Sequence, residues 1–212
     1  MKVLIIGASG RVGKILSGLL LSKQHQVIGT TRKKEPLFED QNYEQISLDL
    51  TEELSVIKDT LPKGLDAICF VSGSRGENLL QVDLDGAIKT MKAAEDLGVG
   101  RYVMLSSIFS LDPSQWKGPA RESLFDYMIA KHYADLWLID NTDLNYTILQ
   151  PGGLKEIEGS RKIDVDVKSA GENSIENVAH TLLEILKNDN TIKKVISMKD
   201  GEQPIEEAVA NF

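Results

Sequence analysis

The sequence predicts an α/β fold, a doubly wound parallel sheet, and three observations lead to it. Short apolar runs rich in β-branched residues alternate with longer segments whose apolar positions recur three and four apart, in the order β-α-β-(α)-β-α-β-α-β-α-β. The first run, Val3 to Ile6, leads directly into Gly7-Ala8-Ser9-Gly10-Arg11-Val12-Gly13, with glycine at every third position. Small-residue loops follow later strands: Ser72-Gly73-Ser74, Ser106-Ser107 and Pro151-Gly152-Gly153. In a parallel sheet such loops share one edge, and ligands bind in the crevice outside it.

Each element has its own warrant. Val3 to Ile6 reads as a strand buried on both faces. Ile15, Leu16, Leu19 and Leu20 line one side of the helix that follows Arg11. The glycines between them let the chain bend sharply, let a diphosphate approach the main chain, and let helix and strand pack closely. The helix N-terminus adds unpaired N–H groups and a partial positive charge. The second strand, Gln26 to Thr31, ends in Arg32-Lys33-Lys34. An acidic residue at this place would accept hydrogen bonds from the ribose of NAD. A guanidinium instead pairs with a 2′-phosphate, so NADP is the expected cofactor and NAD the second choice.

A third strand is expected near Gln45 to Leu48, then a helix capped by Thr51 and running to about Leu61, with Glu52 and Glu53 in its first turn. Asp66 to Val71 is the fourth strand. Asp83 to Leu97 is a helix, with Ala87, Ile88, Met91, Ala94 and Leu97 on its inner side and Gly98 and Gly100 ending it. Arg101 to Leu105 is the fifth strand. A helix from Pro119 or Arg121 to about Asp140 and a sixth strand, Asn145 to Gln150, follow. Beyond Pro151 the pattern weakens. It allows a short strand over Lys162 to Val167, a capping box of Asn173 and Glu176 opening a helix through Leu186, a last strand at Lys193 to Met198 and a short helix over Pro204 to Ala210.

Composition narrows the classes. With 212 residues, 42% of them apolar, the chain can bury one good core and is expected to form a single domain over 1–212. Its 32 acidic against 24 basic side chains argue against a general nucleic-acid binder. No run approaches the ~20 apolar residues of a membrane helix, and the four-residue apolar run at the N-terminus is no secretory signal. A lone cysteine, Cys69, lies in an apolar run and cannot form an intrachain disulfide, so a cytoplasmic location is expected. His25, His132 and His180 are scattered without metal-ligand spacing, and no metal site is expected.

The motifs taken together are the glycine turn, Arg32, Asp49 after the third strand, Ser72-Gly73-Ser74, the run Val82 to Ser107, Tyr127-x-x-x-Lys131 and Pro151 to Leu154. This set resembles the atypical short-chain dehydrogenase/reductases, the NAD(P)H-binding group related to extended epimerases and dehydratases. The resemblance covers Met1 to about Leu154 and runs more loosely to the end. It implies a Rossmann fold with a short C-terminal extension. It also implies a cofactor held by Gly7, Ser9, Gly10, Arg11, Val12 and Gly13, by Arg32, Asp49 and Leu50, by Ser72, Gly73, Ser74 and Asp83, by Ser106, and by Pro151, Gly152 and Gly153. Tyr127, Lys131 and an upstream serine would carry the chemistry. Asp83 stands where the wider superfamily has an Asn, a change similar to that of the atypical members.

The chemistry of the pair also follows from the residues. Four apart on a helix, Tyr127 and Lys131 project from one face. An ammonium near a phenol favours phenolate, so the phenol can exchange a proton with a carbonyl oxygen while a nicotinamide moves a hydride. A serine after the fifth strand would hydrogen-bond that oxygen; Ser107 is the first choice, with Ser106 and Ser110 open. A Tyr and a Lys at this spacing are common by chance, and their position between the serine-bearing strand and the sixth strand carries the weight. The segment Phe109 to Phe125, with Trp116, is either a substrate wall or an ordinary surface loop.

The expected function is therefore an NADP(H)-dependent oxidoreductase acting on a small carbonyl, quinone or flavin-type acceptor. Too few residues follow Pro151 for the added domain that holds nucleotide-sugars in extended relatives, which disfavours a sugar-nucleotide epimerase. Two alternatives stay open: a flavin- or biliverdin-type reductase that does not use the Tyr-Lys pair, and a redox-sensing protein that binds the cofactor without turnover. The expected partner is a small-molecule substrate, with no nucleic acid and no membrane; the sequence leaves the oligomeric state open.

Overall fold

Strand β1 (Lys2–Ile6) lies inside the sheet because both its faces are apolar: Val3 and Ile5 join one buried cluster, Leu4 and Ile6 the other. The structure, a computed structural model, describes residues 1–118 and 122–212. After β1 come α1 (Arg11–Ser22), β2 (Gln26–Thr30), β3 (Tyr43–Ile46), α2 (Leu54–Thr60) and β4 (Ala67–Phe70). A π-helical turn (Leu79–Leu84) then leads into α3 (Asp85–Asp96), followed by β5 (Arg101–Leu105), α4 (Phe125–Asp140) and β6 (Tyr146–Pro151). The remainder comprises β7 (Gly153–Lys155), β8 (Lys162–Val165), β9 (Glu172–Ser174), α5 (Ile175–Lys187), β10 (Lys194–Asp200), β11 (Gln203–Pro204) and α6 (Ile205–Ala210).

Among the described residues the main sheet has nine strands in the order β11-β8-β10-β6-β5-β4-β1-β2-β3. The seven from β10 to β3 run parallel, β8 runs antiparallel to both β10 and β11, and β7 pairs with β9 in a separate two-stranded ribbon. Helices α1, α5 and α6 cover the Val3/Ile5 face, and α2, α3 and α4 the Leu4/Ile6 face. This is the doubly wound Rossmann arrangement. Strand order reverses between β1 and β4, so the loops after these two strands open the crevice where such folds bind ligands. No helix among the described residues is long and apolar enough to cross a membrane.

Several boundaries differ from those the sequence suggests, each for a local reason. The third strand starts two residues early, at Tyr43, because Asp40 turns the chain there: its carboxylate accepts from Asn42 N and its carbonyl from Tyr43 N. Leu48 and Leu50 then leave the strand to enter the core. Thr51 does not cap α2; its N–H and hydroxyl both go to Asp49, and the helix begins at Leu54. Asp83 lies in the π-helical turn, two residues before α3 begins. In place of Asn173, Ser174 caps α5 by accepting from Glu176 N, while the Glu176 carboxylate accepts from Gly159 N. Pro119 and Arg121, the alternative starts given for the fourth helix, lie outside the described residues, and the described helix begins at Phe125.

Arg101 shows how the far half of the sheet is tied. It is 7% exposed, and its guanidinium donates to Asn145 O at 2.7 Å, to Thr147 Oγ1 and to Thr191 Oγ1 at 2.7 Å, joining β5, β6 and the turn after α5. Charge-assisted bonds of this kind contribute more than neutral ones, and their buried acceptors lose a donor if the guanidinium is removed. Arg101→Met is expected to lower the unfolding free energy by about 2–4 kcal/mol, read as a lower urea midpoint with an unchanged slope.

Candidate functional site

The turn after β1 is shaped by what its glycines lack. Gly7 has φ +94°, a left-handed conformation, and a Cβ there would stand 2.8 Å from the Ser72 Cα at the end of β4. A Cβ on Gly13 would collide with the Gly7 carbonyl oxygen, so the first turn of α1 lies directly on the bend. Gly10 N donates to Gly7 O at 2.9 Å, while Gly7 N and Ala8 N bond to Thr30, fastening the bend to β2. Gly10 opens α1 with no side-chain cap, so the first amides of a 12-residue helix keep no side-chain acceptor. A tight glycine bend packed against an uncapped helix start, with backbone amides free of side-chain acceptors, fits a diphosphate. Val12 is buried beneath it; Ser9 and Arg11 are exposed, and Arg11 pairs with Glu156 at 3.2 Å across the crevice mouth.

Toward the β3 edge, Arg32 is exposed just past the end of β2. Its charge adds to the hydrogen bonds from Thr51 that hold the Asp49 carboxyl below the usual range. Leu50 is buried against Gly86, where a Cβ would be 2.8 Å from the Leu50 Cβ. After β4, Ser72 is half-buried and Gly73 exposed, and Ser74 N donates to Asp83 Oδ2 at 2.9 Å. Asp83 is 1% exposed, and its Oδ1 lies 4.0 Å from the ammonium of Lys131, itself 3% exposed. The π-helical turn therefore places a buried carboxylate between the Ser72–Ser74 loop and α4.

Tyr127 and Lys131 share the inner face of α4. The ammonium sits 5.8 Å from the centre of the Tyr127 ring and donates to Leu105 O at 3.4 Å, which anchors it at the end of β5. The three serines after β5 separate clearly. Ser106 and Ser110 donate inward to Asp135, at 2.7 and 2.5 Å, whereas the half-buried Ser107 hydroxyl donates to the Met128 thioether, at 3.5 Å. At the end of β6, Pro151 is buried, and a Cβ on Gly152 would strike the Gly171 carbonyl, while Gly153 faces open space. Beside Gly152 the buried Asn173 side chain has no hydrogen-bond partner for either amide atom among the described residues. A bound molecule at this edge would supply partners that the protein does not.

Loop 108–118 is fastened to α4. Trp116 Nε1 donates to Phe109 O at 2.8 Å, and its ring meets those of Phe125 and His132 edge-on at 5.9 and 5.4 Å. His132 Nδ1 meets Ser110 O at 2.8 Å. These contacts hold Phe109 at φ +58°, which is strained for a bulky residue. Phe109 and Leu111 line an open cleft of about 340 Å³ together with Gln150, Lys168 and Ser197. Sequence reasoning did not single out Asp135 or Gln150. The spacing Tyr127, Lys131, Asp135 put the acid on the same helix face and was the available signal.

Known proteins share the fold and the family to which such a turn belongs. The NAD(P)H-binding family matches residues 7–189, starting at the first glycine of the cradle. Among solved structures, the oxidoreductase ylbE from Lactococcus lactis is 43% identical with a TM-score of 0.96, covering 100% of this chain and 96% of that one. The uncharacterized sugar epimerase YhfK of Bacillus subtilis is 34% identical over 99% of both chains. The UPF0659 protein YMR090W of Saccharomyces cerevisiae is 35% identical, over 100% of this chain and 99% of that one.

Gly7→Ala forces a side chain against the β4 backbone in a conformation that disfavours it. The expected result is a lowered melting temperature and at least a roughly tenfold loss of affinity for the reduced nicotinamide cofactor by calorimetry.

Proposed function

This chain belongs to the NAD(P)H-binding family, and from that premise we propose an NADP(H)-dependent oxidoreductase that reduces a small carbonyl, quinone or flavin-type acceptor. The observation that carries the proposal is that Tyr127 and Lys131 share one face of α4, with the ammonium bonded to the Leu105 carbonyl at the end of β5, two residues before Ser107. The cofactor, when bound, supplies the hydride; the remaining tasks fall to this chain. Lys131 is buried with its ammonium 5.8 Å from the centre of the Tyr127 ring, on the same face of α4 as the phenol. Tyr127 holds or returns a proton at the acceptor oxygen, and Ser107 Oγ donates to the same oxygen as charge develops on it. Arg32, exposed past β2, is the partner for a 2′-phosphate.

Residues 152–212 build β10, β8, β11 and the α5 and α6 layer, which are parts of the main sheet and its cover.

One observation favours a second reading. Asp83 Oδ1 lies 4.0 Å from the Lys131 ammonium and gives it a partner other than Tyr127. In that case the enzyme works by placing the acceptor against the cofactor, with no proton passing through the phenol.

Two substitutions test these assignments. Tyr127→Phe is expected to lower kcat by about 100-fold or more and to leave the Kd for NADPH within about twofold; unchanged turnover selects placement alone. Arg32→Ala is expected to weaken NADPH by about 10- to 100-fold, the worth of a charge-assisted bond, with NADH affected far less. Equal losses for both nucleotides would remove Arg32 as the phosphate partner.

A further inference from the structure

One turn beyond Lys131, α4 carries a carboxyl that the chemistry above does not use. Asp135 is fully buried, and its Oδ2 accepts from Ser106 Oγ at 2.7 Å, Ser110 Oγ at 2.5 Å and Gln150 Nε2 at 3.1 Å. Gln150 Nε2 also donates to Ser110 Oγ at 2.6 Å. Asp135 Oδ1 has no hydrogen-bond partner among the described residues. A buried carboxyl is a poor way to fill space: an apolar side chain of similar volume is often as stable or more so. Yet the groups it gathers come from the end of β5, the following loop and the end of β6, the segments that frame the reacting centre.

We propose that Asp135 is a positioning residue for that centre. Its carboxylate draws Ser106, Ser110 and Gln150 inward, which leaves Ser107 as the serine hydroxyl that faces the acceptor, and it shares the charge of Lys131 with Asp83. The inference rests on the roles given above to Tyr127, Lys131 and Ser107.

The charged and titratable groups around it among the described residues are few. Lys131 lies on its own helix, Asp83 beyond Lys131, and His132 on the Ser110 carbonyl; β5 and β6 present the neutral Ser106 and Gln150. Burial pushes the Asp135 carboxyl up to about 6, against the three hydrogen bonds and the attraction of Lys131, which favour the ion. The ordinary value of 3.8 applies to the unfolded chain, so between about 4 and 6 the folded protein holds a proton that the unfolded chain has lost. Stability from this group is therefore present at acid pH and is lost as pH rises through about 6. At neutral pH the fold carries an ionised acid that opposes its own stability, as functional sites often do.

Asp135→Asn keeps the shape and removes the charge. Thermal unfolding of both proteins between pH 4.5 and 8 is expected to show the variant gaining on the wild type up to about pH 6 and holding a constant lead above it. In the turnover assay with NADPH and an accepted acceptor, wild-type kcat should fall below about pH 6. The variant should lose that acid limb and settle on a plateau roughly ten- to hundredfold lower. A variant plateau equal to wild type, or an acid limb that persists in the variant, overturns the proposal; a uniform drop with the limb retained marks a merely structural role. If Asp135→Asn does not fold, Ser110→Ala takes its place. Loss of one donor should move the wild-type limb to higher pH, and an unmoved limb overturns the proposal. A wild type that reduces no acceptor defeats the functional reading and this inference together. Activity that depends on Tyr127 but ignores Asp135 defeats the inference alone.

Discussion

The closeness of two strand ends sets the rest of the structure. Gly7 and Ser72 come together where β1 and β4 diverge into their loops, at a distance no side chain on Gly7 would allow. Because β1 is followed by α1 on one face and β4 by the α3 layer on the other, the sheet parts there and leaves a crevice. The start of α1 is pressed onto the same bend through Gly13. The main-chain amides thus occupy their places before any ligand arrives, and binding needs little reordering of the backbone.

The second half of the centre is made by α4 and by what it buries. Along one face it carries Tyr127, Lys131 and Asp135, passing from half-exposed phenol to enclosed ammonium to enclosed carboxyl over two turns. The π-helical turn before α3 supplies the opposing carboxylate, Asp83, and an extra residue in a helical turn is a recurrent device where a side chain must be re-aimed. Polar groups with so little water around them constrain one another strongly. The serines after β5 have distinct surroundings because Asp135 accepts from Ser106 and Ser110 and not from Ser107.

The parts of this arrangement that obey short-range rules were legible in the chain. Apolar runs and glycine spacing located β1, α1, β4, α3, β5 and β6 to within a few residues, since each buries a face whose period the sequence displays. The short elements were not: β7, β9 and β11 have two or three residues each and owe their pairing to distant partners, as when Leu154 comes to face Asn173. The winding of Leu79–Leu84 left no mark either, because a π-turn uses the same residues as an α-turn. Ser107 was separable from Ser106 and Ser110 only once their shared acceptor, Asp135, was in place. Asn173 reads locally as a helix cap; its burial beside Gly152 depends on a loop that returns from twenty residues away.

The two ends of the sheet have a bearing on how the chain behaves in a crowded solution. A rim of free amides and carbonyls invites a foreign strand to add itself, the first step toward fibrous association. At one rim lies β11, two residues long and ending in Pro204, which has no amide hydrogen to offer, and β8 beside it runs against its neighbours. The other rim, β3, is four residues long and includes the charged Glu44. Brevity, a missing donor and a charge blunt both margins, so the protein can keep a broad sheet without offering a template for its own polymerisation.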